Sequence, residues 1–253
     1  MDSEMLLSCA LDIGEQMLIS GAEIGRVEDS VRRICEAYDI KRVDVFTITS
    51  SIVATLQNSA GKSITQTRRI VNYRTDLTRL HNLNNLSRKI CESKPDLHYI
   101  AKELENIKQQ KAYPLVIQCL ACALIAGSFT IFFGGTWFDA IPAAIIGAVL
   151  KAVVYATDKA KVNMIFANVV CSFIACFLAF LFTKIGFGAS PDKIIIGNIM
   201  LLIPGIALTN SIRDMISGDI MAGMLRFLEA CIIALAIAAG YVLTALMFGG
   251  AAL

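Results

Sequence analysis

The residues best equipped for chemistry lie where charge is most costly. Residues 204–230 read PGIALTNSIRDMISGDIMAGMLRFLEA, which sets Asn210, Arg213, Asp214, Asp219 and Glu229 in largely apolar surroundings. A charged side chain at the centre of a bilayer costs about 3 kcal/mol or more, so polar groups in such a stretch are functional candidates. Pro204 lacks an amide donor and frees an upstream carbonyl, and Gly205 lets the chain bend. Helices broken in this way expose half-helix ends that hold polar solutes, and a helix N-terminus attracts carboxylates. Asn210 can both donate and accept, and Arg213 is the nearest fixed positive charge to the break. Pro204, Gly205, Asn210 and Arg213 are therefore the expected substrate-binding residues. Asp214, Asp219 and Glu229 would repel an anionic cargo if ionised beside it, which suits proton coupling or gating better. For Arg213 and Asp214 a second reading stays open, a solvated network with Asp219 beyond a kinked span.

A second polar cluster lies near the N-terminus, where Glu23, Arg26 and Glu28 follow Ser20-Gly21-Ala22. These side chains either face solvent or dock on the membrane portion. Elsewhere the signals for catalysis fail. His81 and His98 have no partners at motif spacing, Ser50-Ser51 is no nucleophile elbow, and Gly61-Lys62-Ser63 lacks the upstream glycine of a phosphate loop. Cys119-x-x-Cys122 sits in an uncharged run and reads as a pair of small packing residues. No metal, cofactor or catalytic residue is expected, and paired acids or His-Glu spacings for an intramembrane enzyme are missing.

Composition explains which elements position these groups. Of the 253 residues, 56% are hydrophobic and 17% charged, and 16 of the 23 Lys+Arg and 15 of the 21 Asp+Glu fall within 1–113. That asymmetry implies two solvents, and a net charge of +2 leaves no basic face for nucleic acid. A bilayer core about 30 Å thick needs about 20 apolar residues at about 1.5 Å each. Five stretches qualify, at about 114–134, 138–156, 162–183, 194–212 and 224–248, the fourth interrupted at Pro204-Gly205. Lys108, Lys111, Lys151, Lys159, Lys161, Arg213 and Arg226 flank one side of the bundle, so the N-terminus is expected in the cytoplasm and the C-terminus outside. Trp137 then falls at the outer boundary. The seven glycines 127, 134, 147, 197, 218, 223 and 240 are expected to let helices approach closely.

Residues 1–112 read as a cytoplasmic α/β domain. Apolar residues recur at three- and four-residue spacing in 23–38, with Glu28–Arg32 and Asp29–Arg33 as i,i+4 pairs, and 6–18 repeats the pattern before Gly21. The β-branched run 43–57, a turn at 58–61 and 62–67 predict two or three antiparallel strands, and 75–92 and 96–110 return to helix, the latter starting at Asp96. Asp2, Glu4, Asp12 and Glu15 interrupt any signal peptide.

Taken in order, Ser20-Gly-Ala-Glu23-x-x-Arg26-Val-Glu28, Phe132-Phe-Gly134-Gly135 with Trp137 and Asp139, and Leu202-Ile-Pro204-Gly205 with Asn210, Asp214, Gly218-Asp219, Gly223 and Glu229-Ala230 resemble the threonine/serine exporter family from about residue 6 to 245. The resemblance implies a mainly α membrane protein, with a cytoplasmic α/β N-terminal domain at 1–112 and a five-helix transmembrane half-transporter at 113–253. It implies secondary active export of small polar metabolites, threonine/serine-like amino acids or dicarboxylates such as succinate, in the cell inner membrane. Some members fuse a second membrane half, so this sequence is similar to the larger subunit of the two-component form, with a small membrane subunit or a second copy as expected partner. The alternative is a membrane receptor or sensor with a cytoplasmic signalling domain.

Overall fold

The computed structural model describes residues 2–58, 60–71, 73–110 and 112–248; Ser59 of the predicted turn, Lys111 of the first positive flank and Leu253 at the C-terminus lie outside them. In chain order the elements are α1 (Ser3–Ile19), α2 (Ile24–Ala37), β1 (Arg42–Ile48), β2 (Ser51–Gln57), β3 (Ser63–Arg69), α3 (Leu77–Ser93), α4 (Leu97–Lys108), α5 (Leu115–Phe132), α6 (Trp137–Lys159), α7 (Met164–Lys184), α8 (Pro191–Ile199), α9 (Gly205–Ile216) and α10 (Ile220–Met247). They divide into two compact units. The first takes in Met1–Lys111 with Gly205–Leu228, and the second Ala112–Pro204 with Glu229–Leu253.

In the first unit, α1 is apolar on nearly every side, with Leu6, Leu7, Leu11, Ile13, Met17 and Leu18 all buried. A helix of that composition belongs at the centre of a core, and α1 contacts α2, α3, α4, β2 and β3. The predicted strand run 43–57 divides at Thr49-Ser50 into two strands, giving an antiparallel sheet in the order β1-β2-β3, with Val45 opposite Ala54 and Ala54 opposite Gln66. The middle strand buries Ile52, Ala54 and Leu56 on one face only, the period-2 pattern of a sheet covered on one side. Asp96 caps α4 through the His98 amide, as its position after Pro95 predicts. Asp29 pairs with Arg33 at 2.8 Å, whereas Glu28 turns away from the i,i+4 pattern and accepts the Thr47 amide at 2.7 Å, tying α2 to β1.

The second unit is built from long apolar helices. Among the described residues α5, α6, α7 and α10 are long and apolar enough to cross a membrane. Their large exposed side chains, Leu120, Leu124, Phe166 and Leu235 among them, suit a hydrocarbon surround. Helix contacts rely on small residues. A Cβ added at Gly147 would stand 2.7 Å from the Cys122 carbonyl oxygen, at Gly197 2.8 Å from that of Ala126, and at Gly240 2.5 Å from that of Val169. Gly134 and Gly218 serve turns instead, with open space around them. Beside Gly240, the Ser172 hydroxyl donates to the Ile237 carbonyl at 2.7 Å, joining α7 to α10.

Asp139, part of the quoted motif, is a staple in this unit. Fully buried, it accepts the Thr136 amide at 2.9 Å and hydroxyl at 2.7 Å through one oxygen, and the Ala189 and Ser190 amides at 2.6 and 2.9 Å through the other. The start of α6 is thereby fastened to the loop before α8.

Two span boundaries differ from expectation. The stretch 194–212 is not one interrupted helix but two short ones, because the chain leaves α-helix at Met200 and resumes it only at Gly205, so five residues rather than one dipeptide form the break. The last helix begins at Ile220, four residues before the predicted start, since Arg226 is satisfied by bonds within the first unit and need not mark a helix end.

Candidate functional site

Helix α9 carries its polar residues at 210, 213 and 214, a spacing that sets them on one face. Ile206, Ile212 and Ile216 are exposed. At its end the chain turns through Ser217-Gly218 into α10, and the Asp219 amide donates to the Asp214 carbonyl at 2.9 Å. The hairpin is tight: a Cβ on Gly223 would lie 2.6 Å from the Ser211 carbonyl oxygen and 2.9 Å from the Met215 nitrogen.

The polar face of α9 grips the turn between α1 and α2. That turn exists because Gly21 holds φ at +93°, a left-handed conformation that ends α1 and that side-chain-bearing residues adopt only with strain. It leaves main-chain groups projecting. The Asn210 side-chain amide donates to the Gly21 carbonyl at 3.0 Å, and Arg226 donates to the Ala22 carbonyl at 2.9 Å. Glu23 occupies the N-cap position of α2 without capping it by its own side chain. Asp214 supplies that function instead, one carboxylate oxygen accepting the Ile24 amide at 3.1 Å and the other pairing with Arg226 at 3.1 Å. A carboxylate on a helix N-terminus is favoured by both the free amides and the helix dipole.

The charges form two layers. Inside, the Asp214 and Arg226 side chains are 2% and 8% exposed. A buried pair is stable only when further hydrogen bonds offset its desolvation, and the Ile24 amide and Ala22 carbonyl provide them. Burial pushes the Asp214 carboxyl above the ordinary aspartate value; Arg226 and the Ile24 amide pull it back, and Asp219 and Glu23 add to the rise. Outside, Glu23 bridges Arg213 and Arg26, the latter at 3.6 Å, with the Arg213 side chain 54% exposed and that of Glu23 21%.

The predicted residues are therefore gathered unevenly. Asn210, Arg213, Asp214, Glu23 and Arg26 come together, and the cluster 20–28 docks on 205–228 within the first unit. Asp219 faces α2 near Gly25, where an added Cβ would be 3.9 Å from its carboxylate. Glu28 is pushed up chiefly by burial, with Asp219 adding to the rise and the Thr47 amide opposing it. Gly205 opens α9, while Pro204 and the exposed Glu229 belong to the second unit. Sequence reasoning used Arg226 only as a flanking charge and missed it as the partner of Asp214. The available signal was a lone arginine, twelve residues after an aspartate, at the start of an apolar run.

The second unit holds a cavity of about 550 Å³ lined by Phe180, Ile195, Ile199, Ala234, Ile237 and Tyr241 among others. Apart from Asp192 and Tyr241 its walls are apolar and offer little to a polar solute. On α8 the buried Asn198 donates to the Ile194 carbonyl at 2.9 Å, and its own carbonyl oxygen meets no donor. Among the described residues no three His, Cys, Asp or Glu side chains converge as a metal site would require.

Comparison with known proteins bears on what this clasp, the polar face of α9 and Arg226 closed on the α1–α2 turn, serves. The model of the threonine/serine exporter family, ThrE, matches residues 8–249. The threonine/serine exporter of Corynebacterium glutamicum is 25% identical over 242 residues, which cover 93% of this chain and 50% of that protein. A protein of Klebsiella aerogenes named as the probable succinate transporter subunit YjjP is 24% identical over 252 residues, 98% of this chain and 94% of that protein. The probable threonine/serine exporter of Mycobacterium tuberculosis matches at 23% over 94% of this chain and 45% of its own length. The chain thus spans about half the length of the two exporters it matches. No solved structure matches it.

Proposed function

The chain belongs to the threonine/serine exporter family, a family of membrane transporters and not of enzymes, and from that premise we propose that it is one subunit of a secondary exporter for small carboxylate-bearing metabolites. Threonine-like amino acids and dicarboxylates such as succinate are the cargo, in keeping with the names of its relatives. One observation carries the reading: Arg213 on α9 already holds a carboxylate, that of Glu23, one turn beyond the Asn210 amide. Cargo binds this face of α9, just past Pro204 and Gly205, when the outer layer of charges is released. Asp214, Asp219 and Glu229 carry or gate the coupled proton.

In this reading the N-terminus is cytoplasmic, α5, α6, α7 and α10 cross the inner membrane, and 194–212 makes a broken fourth crossing. An odd number of crossings puts the C-terminus outside. Transport sites commonly lie between two related halves. A second half comes from a small membrane subunit or another copy of the chain, in line with a relative named as a transporter subunit.

Efflux from proteoliposomes preloaded with L-threonine or succinate tests the proposal, with the chain alone and with a second membrane subunit. Efflux by the assembled pair is expected, weakened by Asn210→Ala, and with an altered pH dependence in Glu229→Gln. If neither compound leaves under either arrangement, the function is wrong; efflux by the isolated monomer would sink the need for a second half.

A further inference from the structure

We propose that Glu23 is a built-in competitor for the cargo: its carboxylate occupies Arg213 in the closed clasp, and a cargo carboxylate must displace it to bind. This rests on the export reading above and adds the step by which cargo and clasp exclude one another.

The geometry separates a permanent pair from an exchangeable one. Asp214 and Arg226 are buried and each holds a further main-chain bond, so neither is free for a solute. Arg213 differs in every respect. Its side chain is more than half exposed, its bonded partner is a side chain rather than main chain, and it stands on the same face as Asn210. A half-exposed guanidinium with one side-chain carboxylate partner is a ready receptor for another carboxylate, because the planar fork binds either in the same manner.

Displacement leaves no stranded charge. Glu23 is already 3.6 Å from Arg26, so on leaving Arg213 it keeps a cationic partner one helical turn away. Arg26 therefore acts as the parking place for Glu23, and its presence favours cargo. Because the Glu23 backbone sits between the Ala22 carbonyl held by Arg226 and the Ile24 amide held by Asp214, the side chain can swing while the inner layer stays fixed. An ion pair with one partner open to solvent is weak, so removing such a competitor tightens carboxylate binding by roughly two- to fivefold.

The test is equilibrium binding of succinate, L-threonine and L-threonine amide to the purified full chain in nanodiscs. Glu23→Gln should bind succinate and L-threonine two- to fivefold more tightly, with no gain for the amide, and Glu23→Asp should return affinity toward the wild type. Arg26→Gln should weaken both acids, the opposite sign. In the Arg213→Gln background the Glu23→Gln gain should vanish. Wild-type binding of the acids with no change in Glu23→Gln, at an unaltered melting temperature, refutes the competition and leaves the export reading standing. Failure of the wild type and all variants to bind either acid removes both.

Discussion

Asp214 and Arg226 face one another at 3.1 Å across the α9–α10 hairpin, and each is also bonded to the main chain of the α1–α2 turn. Residues 205–228, which are α9 and the start of α10, are thereby made part of the N-terminal unit. Removing either partner leaves the other charge buried and alone, which costs about 3–5 kcal/mol. Asp214→Ala and Arg226→Ala should each lower stability by that order. The double variant should lose less than the sum, as a double-mutant cycle on thermal unfolding would read.

The pH response of the clasp follows from the raised Asp214 carboxyl. Closed, the acid holds its proton to a higher pH than an ordinary aspartate; open to water, it returns to the ordinary value. Proton uptake therefore accompanies closing. Its contribution to closure is fully present below the ordinary value and is lost as pH rises through the raised one. Hydrogen exchange at the Ile24 amide should accelerate as pH rises across that window, beyond the intrinsic increase, and Asp214→Asn should abolish the excess. An excess that grows on acidification would reverse the assignment.

Gly223 and Gly205 make a matched pair. A methyl at Gly223 meets the Ser211 carbonyl and the Met215 backbone, neither of which can move without opening the hairpin, whereas nothing lies within 4 Å of one at Gly205. Gly223→Ala should cost about 1–3 kcal/mol and hasten proteolysis after Gly21. Gly205→Ala should be near neutral. Equal sensitivity of the two would contradict the packing.

Orientation is open to a direct check. Reporter fusions after Leu253 and at the 160–163 turn should give opposite results, the first outside and the second cytoplasmic. Cytoplasmic activity at both would remove the broken fourth crossing.

Much of this architecture can be read from residue order, because periodicity and hydropathy are local properties. The 3.6-residue pattern around Ile24, Val27, Val31 and Ile34 marks α2, and the uncharged runs mark α5 and α7. The break at 200–204 escapes such reading: Leu201, Leu202 and Ile203 are as apolar in a turn as in a helix, and only Pro204 signals trouble. The clasp is harder still. Three of its acceptors and donors are the Gly21 and Ala22 carbonyls and the Ile24 amide, which carry no signature of residue type, and their partners lie 189 to 204 positions away. Sequence could nominate Asn210, Arg213 and Asp214, but not say what they hold.

That separation also fixes a schedule for biogenesis. The first amide of α2 is made 190 residues before the carboxylate that satisfies it, which emerges only when the hydrophobic segments between have left the ribosome. Chains usually complete their N-terminal unit first; here the N-terminal unit has to wait, its α1–α2 turn unsealed, until Asp214 and Arg226 arrive. A ribosome stalled before residue 205 therefore carries a domain whose final contacts are not yet encoded in the nascent chain, and quality control that senses that turn would be inspecting, at a distance, whether membrane insertion has proceeded.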